Sequence, residues 1–223
     1  MSTRSAATGQ TVLRSIRERR STRRFRPDPV PDELLAELLE AIRWAPSADN
    51  GQPWYVVVVR DEATRRRLNV VAAESRSLYE LWSGSLPAGG RLASLPDFLE
   101  VPLCLAVFAD PRQSPAYVEG EQSHVLAAGM AIQNAWLAAQ AAGLAACFWS
   151  HLEQDQMKSI LGVPHHFYFA GILGIGFPAD DAEESPRQRK PLAEIVGHGW
   201  FKVPAGGAPP ADKLALLEEY LKV

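Results

Sequence analysis

The residues that first suggest chemistry are arginines concentrated near the start of the chain. Six of them lie between Arg17 and Arg26, in RERRSTRRFR around Ser21, although the formal net charge of the 223 residues is −3. Guanidinium groups bind phosphate oxygens through paired hydrogen bonds, and a hydroxyl adds a neutral one. The stretch therefore predicts a local anion site, with an organelle-targeting peptide and a nucleic-acid arm as the alternatives.

The bulk composition weighs against both alternatives. A nucleic-acid-binding protein usually carries a broad basic face, whereas the pI of this chain is near 6.0. The Arg- and Ser-rich start is similar to a transit peptide, but it continues into a helix pattern instead of a cleavable spacer. No run of eighteen apolar residues occurs, so the sequence predicts no membrane span. A nucleic-acid binder stays as a remote alternative, which predicts salt-sensitive binding.

A second polar patch is the loop APSADNGQPW, between a predicted helix end and a predicted strand. Pro46 and Pro53 restrict its backbone. The polar side chains that it presents are Ser47, Asn50 and Gln52. Because Asn-Gly is strong turn chemistry, the alternative is a plain turn.

Two more patches complete the polar set. Ser150 and His151 come just past the end of a predicted strand, a common place for ligands. Arg187 and Arg189, in PRQRKPL, project the same way if that segment is extended. A solvated basic loop is the alternative there. Two separated arginine groups with a serine are nevertheless the chemistry of a phosphate grip.

Other chemistries find no support in the sequence. Gly174 to Ala179 matches G-x-G-x-x-A literally, but Pro178 and an acidic stretch follow where a dinucleotide fold needs a helix. The five histidines share no ligand spacing, so no metal site is predicted. Cys104 and Cys147 lie in apolar runs and are predicted to be buried, reduced thiols, which fits the cytoplasm. No protein acid, base or nucleophile is identified.

The predicted elements mix helices and strands without regular alternation, which indicates an α+β sheet covered by helices. A short helix from Thr11 places Leu13 and Ile16 inward, and Arg19 and Arg23 at i, i+4 share a helix face if it continues. A second helix begins at Pro31 and Asp32 and stops at Pro46. A long helix from about Glu119 to Ala142 is apolar nearly all round, which places it in a core or an oligomer interface.

Four strands and a short helix complete the predicted domain. Trp54 to Val59 is predicted to be buried on both faces, and Val101 to Ala109, LAACFWS and FYFAGILGIGF are the other strands. The helix in EQDQMKSILG ends at Gly162. We predict a disordered stretch at 1–10, one domain at 11–200, and a linker with a docking helix at 201–223.

Six motifs, in order, resemble the FMN-dependent nitroreductase family over about residues 12 to 200. They are RRSTRRF (19–25), APSADNGQPW (45–54), AIQNAWLAAQAAGL (131–144), ILGVP (160–164), GIGFP (174–178) and RQRKPLAEIV (187–196). The resemblance implies a central mixed or antiparallel sheet flanked by helices. It also implies a homodimer with FMN at the interface and the long central helix as the seam. Residues 60–100 carry no match, and that region shapes the pocket in the family.

The resemblance also implies roles for single residues. Phosphate and ribityl contacts fall on Arg19, Arg20, Ser21 and Arg23, and a second phosphate group on Arg187 and Arg189. A loop that reaches the flavin, partly from the other subunit, falls on Pro46, Ser47, Asn50 and Gln52. Ser150 and His151 fall where a backbone amide approaches the flavin N5. Many relatives have glycine there, so His151 either lines the pocket or caps the turn.

The activity implied is ping-pong oxidoreduction, in which NADH or NADPH gives a hydride to the flavin and an acceptor then takes the electrons. Nitroaromatics, quinones and enones are the implied acceptors. The alternatives within the fold are a flavin-fragmenting dimethylbenzimidazole synthase, an azoline oxidase and a dehalogenase. A flavin binder without turnover is more remote.

Overall fold

The structure is a computed structural model that describes residues 6–82, 96–114, 122–182 and 188–196. The chain divides into two units, Met1–Glu184 and Ser185–Val223. Arg187 and the predicted linker and tail helix at 201–223 lie outside the described residues. The described part of the second unit contains one short helix, Leu192–Ile195.

The first unit has five α-helices and four strands among its described residues. The helices are α1 (Ala6–Glu18), α2 (Asp32–Arg43), α3 (Glu62–Trp82), α4 (Ser123–Ala141) and α5 (Gln154–Leu161). The strands are β1 (Trp54–Val59), β2 (Leu103–Ala109), β3 (Ala145–Trp149) and β4 (Tyr168–Gly176). All four predicted strands are confirmed. None of the helices in the described ranges has the length and apolar character needed to cross a bilayer.

The strands form one antiparallel sheet in the order β1-β2-β4-β3. Trp54 pairs with Ala109, Leu103 with Ile175, and Ala145 with Gly176. The sheet therefore has β1 at one edge and β3 at the other. The predicted α+β class with an antiparallel sheet is confirmed.

Helices cover both faces of the sheet, and alternate residues of β2 meet each layer. Leu105 and Val107 pack with α2 and α4, whereas Cys104 and Ala106 pack with α3 and α5. Every residue of β2 is buried. Both cysteines are buried, as predicted, and burial raises the pKa of Cys104 to about 12.

Two burial predictions are wrong. β1 is an edge strand with a neighbour on one side only, so Tyr55 is 56% exposed and Val58 is 36% exposed. α1 begins at Ala6 and packs against α4, outside the layer that covers the sheet. Leu13 and Ile16 are consequently exposed instead of inward-facing.

Candidate functional site

The arginine segment leaves α1 at Glu18 and runs along the β3 edge of the sheet. Thr22 N donates to Ala146 O at 3.0 Å, and Arg26 N donates to Phe177 O at 2.9 Å. Phe25 forms an isolated bridge with Pro178, just past the end of β4. The prediction that Arg19 and Arg23 share a helix face is wrong, because α1 ends before both residues.

The first two arginines of the segment are fastened to α4 through Trp136. The Arg19 guanidinium lies 4.0 Å from the centre of the Trp136 ring. The ring nitrogen Nε1 of Trp136 donates to Arg20 O at 3.3 Å. Stacking on an aromatic face orients a guanidinium, so the Trp136 ring helps to hold the Arg19 side chain in position.

Arg23 joins Arg19 beside β3. Burial raises the pKa of the Cys147 thiol to about 11, and the positive charges of Arg23 and then Arg19 act against that rise. The backbone of the segment between them lies beside the edge strand, where Thr22 N donates to Ala146 O. The Arg23 side chain is exposed and donates to Ser21 O at 3.3 Å, and no carboxylate in the described ranges pairs with it.

Two neighbouring arginines of the cluster, Arg24 and Arg26, differ from Arg23. Arg24 pairs with Asp181 at 2.8 Å, and Arg26 pairs with Asp28 at 3.2 Å. Since those two charges are compensated, the cluster offers a ligand less positive charge than its six arginines suggest.

The loop before β1 has an unusual backbone. Asp49, Asn50 and Gln52 have φ angles of 49°, 55° and 46°, in the left-handed region that L-residues rarely adopt. Ser47 Oγ accepts from Gln52 N at 3.0 Å, and Gln52 Nε2 donates to Asn50 O at 3.2 Å. Three strained residues in six positions are more than a plain turn requires.

The loop is also held against the end of β2. Asp110 N donates to Pro53 O at 2.8 Å. A Cβ atom placed on Gly51 would lie 2.4 Å from Gln113 O, so only glycine allows this close approach. The loop and the turn at 111–113 therefore form one rigid surface.

Apart from Arg187 and Arg189, the predicted site residues fall into two groups within one chain. The arginine segment lies along β3, and the exposed Ser150 and His151 directly follow that strand. The loop with Pro46, Ser47, Asn50 and Gln52 precedes β1. Three strand spacings, roughly 14 Å, separate the two edges. Arg189 is exposed in the second unit, where its Nη1 donates to Gln188 O at 3.0 Å.

Sequence reasoning missed two charged clusters near the loop. Asp110 is buried at the end of β2 and accepts hydrogen bonds from the Arg112 guanidinium, which lower the pKa of its carboxyl group. At the end of α2, Glu40 accepts from Arg43 and from Trp44 Nε1, and these bonds lower the pKa of Glu40 to about 2. The sequence feature that could have revealed the first cluster is Asp110, an acidic residue directly after the buried strand β2.

The sequence profile of the Nitroreductase family matches residues 16–177, which includes both groups of site residues. The chain belongs to the nitroreductase family. The family and its fold were both predicted from the six motifs, and both predictions are confirmed.

Three similar proteins show the range of this nitroreductase family. The NADH dehydrogenase of Thermus thermophilus is 32% identical over 80% of this chain and 91% of its own length. The 5,6-dimethylbenzimidazole synthase of Rhodospirillum rubrum is 34% identical over 82% of this chain and 85% of its own. A Desulfovibrio desulfuricans protein solved in complex with FMN is 30% identical, with a TM-score of 0.62 over 86% of this chain and 98% of that one.

Proposed function

We propose that this chain is an FMN-dependent oxidoreductase that uses NADH or NADPH to reduce an oxidised small molecule. The acceptor class that we propose is a nitroaromatic, a quinone or an enone. The observation that carries the proposal is the arginine segment held beside β3 by the bond from Thr22 N to Ala146 O, where Arg23 has no carboxylate partner among the described residues. Membership of the nitroreductase family makes a flavin phosphate the fitting anion.

The residues along β3 fit a flavin phosphate by charge and by hydrogen-bonding capacity. Arg19 and Arg23 supply charged donors, and the exposed hydroxyl of Ser21 supplies a neutral one. Arg20 and the pair Arg187 and Arg189 complete the proposed phosphate grip. Ser150 and His151, at the end of the same strand, are the proposed neighbours of the ring system.

The proposal includes a homodimer, which the position of the two groups of site residues at opposite edges of the sheet supports. In one chain the arginine segment lies beside β3 and the strained loop precedes β1, at opposite edges of the sheet, which supports a second copy as the source of the loop. α4 offers a surface for that copy, since Leu126 is 67% exposed and Met130 is 39% exposed. In this arrangement Pro46, Ser47, Asn50 and Gln52 reach the flavin that the partner holds.

The isoalloxazine of bound FMN supplies the hydride chemistry between the nicotinamide donor and the acceptor. The chain's own residues bind the phosphate and fix the loop. The buried, reduced thiols of Cys104 and Cys147 are consistent with a cytoplasmic enzyme. The predicted domain at 11–200 and docking tail at 201–223 remain part of this proposal, whereas the predicted disorder at 1–10 is wrong for residues 6–10, which belong to α1.

A second candidate function is fragmentation of the flavin itself. The 34% identical relative from Rhodospirillum rubrum is a 5,6-dimethylbenzimidazole synthase. Steady consumption of NADH or NADPH with an acceptor would favour the reductase. Loss of the flavin spectrum in the presence of oxygen, without an acceptor, would favour fragmentation.

An absorbance spectrum of the purified protein tests the proposal. We expect a flavin spectrum, either as purified or after incubation with FMN, that bleaches anaerobically with NADH or NADPH and returns with an acceptor. Arg189→Ala should weaken FMN retention by about 1.5–3 kcal/mol, the contribution of a charged hydrogen bond. A preparation that stays colourless after incubation with FMN would contradict the proposal.

A further inference from the structure

The turn after β2 carries an arginine whose guanidinium is fixed by a buried acid. Arg112 Nε donates to Asp110 Oδ1 at 2.9 Å, and Arg112 Nη2 donates to Asp110 Oδ2 at 2.7 Å. The Asp110 side chain is 9% exposed, whereas that of Arg112 is 65% exposed. Asp110 Oδ1 also accepts from Arg112 N at 3.0 Å, so the backbone and the side chain of Arg112 are both anchored.

This geometry leaves one side of the guanidinium available. Among the described residues, no acceptor binds Arg112 Nη1. A guanidinium that is already ordered loses little conformational freedom when it binds a second anion. Arg112 can therefore bind a second anion through its exposed side while it remains paired with Asp110.

The surroundings of Arg112 add a second basic group and a row of rings. His166 Nε2 lies 3.9 Å from Asp110 Oδ1, and its side chain is 39% exposed. The His166 ring is 4.8 Å from that of Phe167, which is 6.1 Å from that of Tyr55. A planar ring with an attached carboxylate or phosphate has complementary chemistry to this surface.

The position of the turn connects it to the proposed reaction. Asp110 N donates to Pro53 O, and Gln113 O lies in close contact with Gly51, so the turn is packed on the loop that is proposed to reach the flavin. A side chain in this turn therefore lies beside the loop that is proposed to contact the flavin.

We infer that Arg112, positioned by Asp110, recognises the carboxylate or phosphate group of one of the two substrates. This inference rests on the proposed function and goes further, because it names the chemical class that the enzyme prefers. Arg112 is the specificity-determining residue, and Asp110 is a positioning residue that acts through it. The anion belongs either to the nicotinamide donor or to the acceptor.

Separate measurement of the two half-reactions distinguishes these sources. The oxidative half-reaction compares para-nitrobenzoate with nitrobenzene, and the reductive half-reaction compares NADPH with NADH. In each pair the first compound carries one more anionic group. Arg112→Gln should reduce the preference for the more anionic compound by roughly three- to tenfold in one half-reaction, as expected for an exposed charged contact. Arg112→Lys should restore part of it.

Three further variants show whether a change in preference comes from Arg112 itself or from a general loss of stability. Arg66→Gln is the matched control, since Arg66 is 66% exposed and pairs with Glu62 on α3, and it should change neither preference. Asp110→Asn combined with Arg112→Gln removes the buried charge together with its partner, and it should show the same loss as Arg112→Gln. Asp110→Asn alone should raise KM for the more anionic compound and leave kcat unchanged.

Unchanged preferences in both half-reactions, in a variant that still turns over, would overturn this inference and leave the proposed function intact. An equal loss in the Arg66→Gln control would also overturn it. Failure of the wild-type protein to reduce any acceptor would overturn the proposed function and the inference together.

Discussion

The two edges of the sheet differ in how they hold the predicted site residues in place. Along β3, backbone hydrogen bonds such as Thr22 N to Ala146 O fix a basic segment, and Arg23 stays without a carboxylate partner in the described part of the chain. Before β1, the order is within the loop itself, where three residues have left-handed φ angles. One edge supplies charge and the other supplies a rigid polar shape. In the proposed homodimer, the cofactor contacts the charged edge of one copy and the loop of the other.

The largest effect on FMN binding is expected from variants that prevent two copies of the chain from associating through α4. Leu126→Asp with Met130→Asp places two charges on the exposed face of α4. We expect the dimer dissociation constant to rise by more than roughly tenfold, because uncompensated charges would be buried at the interface. Light scattering after size exclusion measures the mass, and the flavin spectrum should weaken in parallel.

The matched control for the α4 variants is Val70→Asp, because Val70 is 57% exposed on α3. It should leave both the mass and the flavin content unchanged. A wild-type protein that is monomeric at the same concentration, yet retains FMN, would show that one edge is sufficient.

A smaller effect is expected from loosening the β1 edge. Ser47→Ala removes the hydroxyl that accepts from Gln52 N at 3.0 Å. The loop should lose about 0.5–1.5 kcal/mol of local stabilisation, so FMN binding should weaken roughly two- to tenfold. Fluorescence titration with FMN measures this change. The control is Ser77→Ala, which removes an exposed helix hydroxyl bonded to Ala73 O. An equal loss of FMN affinity in the control would show that the loop is not what determines FMN binding.

The smallest effect concerns the helix end next to the loop. Hydrogen bonds from Arg43 and Trp44 lower the pKa of Glu40 from 4.5 to about 2 in the folded chain. Because the carboxyl pKa is lower in the folded chain than in the unfolded chain, the ionised Glu40 stabilises the fold at pH values above about 4.5. This contribution disappears as the pH falls from about 4.5 to about 2. Glu40→Gln should therefore lower the free energy of unfolding slightly at neutral pH, and the difference from wild type should vanish in that window.

Glu62→Gln, at an exposed glutamate paired with Arg66, is the control for Glu40. Urea unfolding at a series of pH values measures both variants. A difference between Glu40→Gln and wild type that is constant with pH would show that the Glu40 carboxylate is not what stabilises this helix end.

The sequence was sufficient to predict the helices and strands whose residues are mostly of one type. The β-branched run at β1, the apolar run at β2 and the Ala-rich α4 each dictate their own secondary structure, and Gly162 at φ 67° ends α5 as expected. The two groups of site residues came from motifs of a known family. Local sequence and family resemblance were sufficient for these features.

The features that the sequence did not predict depend on contacts between distant residues. Whether Tyr55 is covered depends on the position of β1 in the sheet, which its own six residues do not determine. The pairing of Arg24 with Asp181 joins residues 157 positions apart, so the cluster gave no sign of which arginines are compensated. The role of Asp110 likewise depends on how the turn at 111–113 meets the loop before β1.

The most direct measurement of the central claim is a comparison of FMN with riboflavin, which differ by the phosphate. Flavin-free wild type should bind FMN more tightly than riboflavin. Arg23→Ala should weaken FMN binding by about 1.5–3 kcal/mol, roughly ten- to 150-fold in Kd, and leave riboflavin binding unchanged. Arg24→Ala, next to it but paired with Asp181, should retain the wild-type preference. Equal binding of both flavins by the wild type, or an Arg23→Ala variant that binds FMN normally, would contradict the account.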